Sequence, residues 1–148
     1  GVQTCALPIW NNDIVFLGPK GLEWAYQRIT EIVHELNNKF FRFDIFGFTE
    51  GLQFTQYTAP DQFYKNHIDK VNRRQVRKLS IVIQLTDGNE YEGGDLELIL
   101  GSDTDIIKMS RKRGSLIVFP SYVLHQVTTV TKGQRHSLVG WITGKAFV

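Results

Sequence analysis

From residue 40 onward the hydrophobic pattern has a period of two, and turn signals interrupt it every few residues. Phe41, Phe43 and Ile45 alternate with Arg42, Asp44 and Phe46; Gln53 to Thr58 forms another run; Leu79, Ile81, Ile83 and Leu85 alternate with Ser80, Val82, Gln84 and Thr86. Such alternation marks half-buried strands. Asp87-Gly88-Asn89 turns the chain. Gly93-Gly94 opens a strand from Asp95 to Leu100, Ile106 to Met109 is a short strand, and Gly114 to Phe119 is strongly apolar and stops at Pro120. Val123 to Thr131 is expected to form a hairpin with Gln134 to Thr143 across Lys132-Gly133. Parallel βαβ units need crossovers of a dozen residues or more, and these strands are too closely spaced for them. The pattern favours two antiparallel sheets rolled into a jelly-roll-like barrel, a mainly β fold.

Before residue 40 the period is helical. Leu22, Tyr26, Ile29, Val33 and Leu36 recur three or four apart behind Pro19 and Gly21, with a stop expected at Asn37-Asn38. A lone helix cannot bury this stripe, so it should pack outside a sheet. With 148 residues, 42% of them apolar, the chain fits one domain with its own core. Residues 1–15 are expected to be a tail and residues 16–148 the domain. A net charge of +2 gives no reason to expect nucleic acid or membrane as a partner. The single cysteine, Cys5, excludes an internal disulfide and permits a reducing compartment. No apolar run approaches membrane-spanning length, and GVQTCALPI lacks the basic flank of a signal peptide. A cytoplasmic location is the expectation. The sequence leaves the oligomeric state open.

His67 and Asp69 stand two residues apart, a spacing that puts both side chains on one face of an extended strand. His125 must come from a different strand. Two imidazoles and a carboxylate leave about half of an octahedral shell free, as in mononuclear non-haem iron(II) sites, although zinc and manganese accept the same donors. His34, on the helix, and His136, beside Arg135, are expected to be satisfied structural histidines. Arg135 follows His125 by ten residues and alternates with Ser137, Val139 and Trp141. A buried guanidinium needs an anion, and its planar fork suits a carboxylate. Gln84, Thr128 and Ser137 are candidates for a further hydrogen bond there. Two basic clusters, Arg73-Arg74-Arg77-Lys78 and Lys108-Arg111-Lys112-Arg113, read by default as solvated surface and otherwise as a rim that steers an acidic substrate.

Taken together these residues resemble the iron(II)- and 2-oxoglutarate-dependent dioxygenases, in their prolyl 4-hydroxylase-like branch. The resemblance runs through Tyr57, Tyr64, His67-Ile68-Asp69, Glu92-Gly93-Gly94-Asp95-Leu96, Gly114 to Pro120, His125, Arg135 and Trp141. It implies a double-stranded β-helix with helices packed outside. It implies that His67, Asp69 and His125 are iron ligands and catalytic, and that Arg135 holds the distal carboxylate of 2-oxoglutarate. Tyr57, Gln84 and Trp141 are the further co-substrate positions. The implied reaction hydroxylates an unactivated C–H bond with O2 while 2-oxoglutarate becomes succinate and CO2, ascorbate sustaining activity. A prolyl residue in a peptide or protein is the favoured substrate; a free amino acid or small metabolite is the alternative. A metal-dependent non-oxygenase of cupin type and an inactive binding module are the competing classes.

Overall fold

The computed structural model describes residues 10–69, 76–102 and 104–147. In chain order the strands are β1 (Trp10–Asn11), β2 (Asp13–Leu17), β3 (Ile45–Phe48), β4 (Leu52–Thr58), β5 (Phe63–His67), β6 (Val76–Gln84), β7 (Tyr91–Gly93), β8 (Leu96–Ile99), β9 (Ile106–Lys108), β10 (Leu116–Pro120), β11 (Leu124–Val127) and β12 (Val130–Gly144). One helix, α1 (Glu23–Leu36), lies between β2 and β3. Among the described residues the first strand is at Trp10, and the expected boundary at residue 16 falls inside β2. Cys5, Arg73 and Arg74 lie outside the described residues.

The helix forms where its stripe predicts. Ile29 and Val33 are buried, and Tyr26 packs beside them against Leu52, Leu79, Ile81 and Ile142. The Tyr26 hydroxyl donates to Leu17 O at 2.6 Å and accepts from Leu52 N at 2.7 Å, which ties α1 to β2 and β4. The expected stop at Asn37-Asn38 is not where winding ends. A π turn continues through Asn37–Phe41 and closes at Arg42, whose φ is 56°. The cause is the buried Asn37 side chain, which donates to Phe43 O and accepts from Phe43 N, both at 3.0 Å. This amide pairs with the backbone as a strand would, so Phe41 stays helical and the expected strand begins only at Ile45.

All strand pairings are antiparallel and fall into two main sheets. The larger runs β10-β6-β12-β4-β2, with β3 and β7 pairing β12 at its ends; the smaller runs β1-β5-β11-β8-β9. They pack on each other through Tyr57, Val82 and Phe119 from the larger sheet and Leu96, Leu98 and Val127 from the smaller. The result is mainly β with the helix outside, and neither sheet closes on itself among the described residues. No helix among them is long and apolar enough to cross a membrane.

Two sequence expectations change. β6 is buried on both faces: Leu79 and Ile81 meet the helix side, while Ser80, Val82 and Gln84 are also buried. Lys132-Gly133 is not a hairpin turn. Both residues lie inside β12 opposite Glu92 and Tyr91, and the chain has already left β11 for the other sheet. Gly133 mimics a turn glycine because its φ is +74° and a Cβ there would collide with Glu90 O. Close backbone approach at an irregular register, not chain reversal, requires glycine here.

Candidate metal and anion site

The three metal-type donors converge. His67 ends β5, and His125 on β11 is its direct cross-strand partner. Directly opposed residues share a face of the sheet, and the two imidazole centroids are 4.2 Å apart. Asp69 lies just past β5, where its N–H donates to Ser121 O at 3.0 Å. Its Oδ1 is 3.7 Å from Nε2 of both histidines. One ligand atom from each residue falls within 4.8 Å of the others.

The remaining atoms of these side chains are already occupied. His67 Nδ1 is 2.7 Å from Lys65 O, and His125 Nδ1 is 2.9 Å from Val123 O. A carbonyl can only accept, so each ring carries its proton on Nδ1 and directs a free Nε2 lone pair inward, the usual support for a metal-ligating histidine. Burial, reinforced by neighbouring His125, lowers the His67 pKa and keeps the ring neutral. Asp69 Oδ2 accepts from Trp141 Nε1 at 2.9 Å and from the Ser80 hydroxyl. Tyr64 stacks on His67 at 3.7 Å, and Phe119 meets His125 edge-on. This donor set, neutral nitrogen plus carboxylate, suits a divalent ion such as Fe(II).

The same cavity, about 640 Å³, reaches from these donors to Arg135 and Tyr57 on the larger sheet. Arg135 is 1% exposed. Its Nη2 donates to Gln84 Oε1 at 3.0 Å, while Nε and Nη1 are buried without a partner among the described residues. A desolvated cation with two free donors is costly until an anion supplies acceptors. Tyr57 sits opposite Arg135 in the β4–β12 register. Burial pushes its hydroxyl pKa up to about 12 against the opposing pull of Arg135, so it remains a neutral phenol.

Of the expected residues, His67, Asp69, His125, Arg135, Tyr57 and Trp141 all line this cavity. Trp141 spends its indole N–H on Asp69. Gln84 does not line it; it braces Arg135 from behind and donates Nε2 to Ser110 O. Ser137 lines the cavity, whereas Thr128 Oγ1 accepts from Asp95 N elsewhere. His34 is exposed rather than a core histidine. His136 faces away from the cavity, bonded to Gln56 and near Thr86. Gly93 and Gly94 have φ of +70° and +64°, and a Cβ on Gly94 would meet Val130 at 2.8 Å and Arg135 Cδ at 3.3 Å. Gly94 lets the backbone press against the arginine stem, while a Cβ on Gly93 would collide with Thr129 O.

The basic clusters are only partly solvated. Lys78 is buried with its ammonium 3.2 Å from the Phe147 ring centroid. Arg111 stacks on Tyr91 and donates to Gly88 O, Gly93 O, Tyr91 O and Asp95. Arg77 lines the cavity. Sequence reasoning missed Ser80 and Ser121 behind Asp69, and Trp10, Ile14 and Phe16 at the cavity mouth. Ser80 lay hidden because β6 was expected to bury one face, and Ser121 lies just past β10 with no pattern to single it out; Trp10 and Ile14 lay in the segment taken as a tail, and Phe16 is the first residue of the expected domain.

With this geometry, the comparisons define the class. A family model described as the 2OG-Fe(II) oxygenase superfamily matches residues 52–143, and the chain belongs to that superfamily. Within it the likeness is to the prolyl 4-hydroxylase-like branch. A PKHD-type hydroxylase of Synechococcus sp. (strain CC9311) is 42% identical over 86 residues, covering 57% of this chain and 38% of that protein. The chain therefore spans about two fifths of the length of that curated relative. A Pseudomonas putida prolyl-4-hydroxylase structure superposes with a TM-score of 0.75 at 25% identity over 93% of this chain and 74% of that one. A Trichoplax adhaerens prolyl hydroxylase, solved in complex with a hypoxia inducible factor oxygen degradation domain peptide fragment, shares the fold at a TM-score of 0.76 and 18% identity, over 92% of this chain and 64% of that one.

Proposed function

We propose that this chain forms the active centre of an Fe(II)- and 2-oxoglutarate-dependent hydroxylase acting on a prolyl residue within a peptide or protein. We read the two sheets as the halves of a double-stranded β-helix. His67, Asp69 and His125 would hold the iron, with Nε2, Oδ1 and Nε2 as donor atoms. The observation that carries the reading is the pairing of this donor set with a buried Arg135 whose Nε and Nη1 lack acceptors in the same cavity. An α-keto dicarboxylate would suit this pair, with its distal carboxylate meeting Arg135 and its α-keto acid end turned to the donor set.

Iron with bound co-substrate supplies the oxidising power, coupling decarboxylation of 2-oxoglutarate to C–H hydroxylation. The chain's own residues bind, orient and exclude water. Arg135 fixes the distal carboxylate through two charge-assisted hydrogen bonds, and Gln84 keeps the guanidinium plane from turning. Tyr57, protonated at working pH, offers a neutral donor beside it. Val82, Leu96, Phe119 and Val127 line a dry wall. At the mouth, Trp10, Ile14, Phe16 and Ile68 are exposed apolar side chains lining the same cavity. That rim suits an uncharged peptide segment around the reacting residue better than a small charged metabolite.

The test is to incubate anaerobically iron-loaded protein with 2-oxoglutarate and ascorbate, admit air, and measure succinate with and without a library of proline-containing peptides. The expected result is succinate whose formation rises with particular peptides, each gaining one oxygen atom. Succinate stimulated only by free amino acids would reassign the substrate, and no succinate from iron-loaded protein across the whole set would overturn the reading.

A further inference from the structure

Asp69 presents one oxygen to the histidines and has the other tied down. Oδ2 accepts from the Ser80 hydroxyl and from Trp141 Nε1, whereas Oδ1 faces the Nε2 atoms of both histidines. Ser80 spends its single proton on the carboxylate, so the Ser121 hydroxyl, 2.9 Å away, donates to Ser80 in turn. Ser121 O also receives the Asp69 N–H. The arrangement follows from register. Ser80 on β6 and Trp141 on β12 are direct cross-strand partners, so their side chains share the cavity face and reach one acceptor.

A second layer begins at the rim. Between Ile142 and Thr143 the β6–β12 register shifts, so that Leu79 opposes Ile142 and Arg77 opposes Thr143, with Lys78 as the extra residue. Such a bulge re-aims the following side chain. Arg77 therefore turns to the face Trp141 occupies, and its guanidinium lies 3.7 Å from the indole centroid. Glu50 holds that guanidinium along its edge, accepting from Nε at Oε2 at 2.8 Å and from Nη2 at Oε1 at 2.6 Å. A cation over an indole face is attracted by the ring quadrupole and fixes the plane, and hence the direction, of the indole N–H.

Resting on the metal centre proposed above, we infer that Ser80 and Trp141 are positioning residues that hold Asp69 as a one-oxygen ligand, and that the Glu50–Arg77 pair on the cavity rim locks Trp141 in that role. Neither Glu50 nor Arg77 touches the ligand atoms. Their effect passes through the indole to the carboxylate.

The experiment is an anaerobic Co(II) titration against a competing chelator, recording the dissociation constant and the visible d–d spectrum of each variant, with thermal melts to verify folding. Ser80→Ala and Trp141→Phe should each raise the constant about 10- to 100-fold, the usual cost of removing a partner behind a ligand. Both should change the d–d bands, because the freed carboxylate can turn both oxygens to the ion. Ser80→Thr, which restores the hydroxyl, should return affinity and spectrum to wild type. Arg77→Met keeps an apolar stem over the ring in a half-exposed position and should fold even if Trp141→Phe does not; it should raise the constant several-fold and shift the spectrum in the same direction. Folded Ser80→Ala protein with wild-type affinity and bands would overturn the role given to Ser80, and the same result for Arg77→Met would overturn the rim lock. Wild-type protein that bound no Co(II) would instead overturn the metal centre itself, a distinct failure.

Discussion

The two ends of the cavity are finished to different degrees. At the metal-type end every supporting atom has a partner: each His Nδ1 meets a carbonyl, and Asp69 Oδ2 has two donors. At the cationic end, among the described residues, the Arg135 side chain has one hydrogen bond, to Gln84, and two buried nitrogens with none. The first is shaped for an ion whose position the protein dictates. The second is completed only by something that enters. Preorganisation at one end and an unmet demand at the other is what a resident metal beside a consumable, anionic co-substrate requires.

Substitutions at the two ends should therefore fail differently. Asp69→Ala removes the anionic donor of the cluster and should weaken Fe(II) or Co(II) binding by more than about 100-fold, beyond the effect of any outer partner; equilibrium dialysis against metal measures this. Arg135→Ala should leave metal affinity near wild type yet raise the 2-oxoglutarate Kd by about 100-fold, since two hydrogen bonds to a charged group are lost. Metal affinity falling in parallel with co-substrate affinity would erase the contrast between the ends. Gly94→Ala sharpens it from the backbone side. The added methyl would meet Val130 and Arg135 Cδ at a φ of +64°, so we expect a loss of about 1–3 kcal/mol in denaturant unfolding from overpacking and strain. Gln84→Leu removes a neutral brace and should raise the 2-oxoglutarate Kd about 10-fold, again without touching the metal.

The smallest effect lies outside the cavity. Burial alone would raise the Asp95 pKa, but hydrogen bonds from Lys108 and Arg111 outweigh it and hold the carboxylate below its ordinary range. A depressed folded pKa means the unfolded chain binds the proton more readily. The stabilisation is complete above the ordinary aspartate value of about 3.9 and disappears as pH falls through the lower folded value. Asp95→Asn should flatten that part of the acid-unfolding curve and change little at neutral pH.

How much of this was legible in the sequence depends on how local each signal is. The helix stripe and the strands announced themselves through period, and His67-Ile68-Asp69 through spacing. Long-range partners were found only where chemistry demanded one, as for His125 and Arg135. The Lys132-Gly133 hairpin failed because a positive-φ glycine looks the same in a turn and in a strand pressed against a neighbouring backbone. Ser80 escaped because alternation shows two faces without saying that both are buried. Asn37 escaped because its side chain replaces a stop with a π turn. Arg77 reads as one of four surface cations until the bulge at Lys78 is seen.

The most direct test of the central claim is calorimetric titration of 2-oxoglutarate into the protein under anaerobic conditions, without metal and then with one equivalent of Fe(II). The account predicts weak binding to the metal-free protein, a large gain when Fe(II) is present, and a Kd about 100-fold higher in iron-loaded Arg135→Ala. Binding of equal strength with and without Fe(II), in protein that retains its fold, would contradict it.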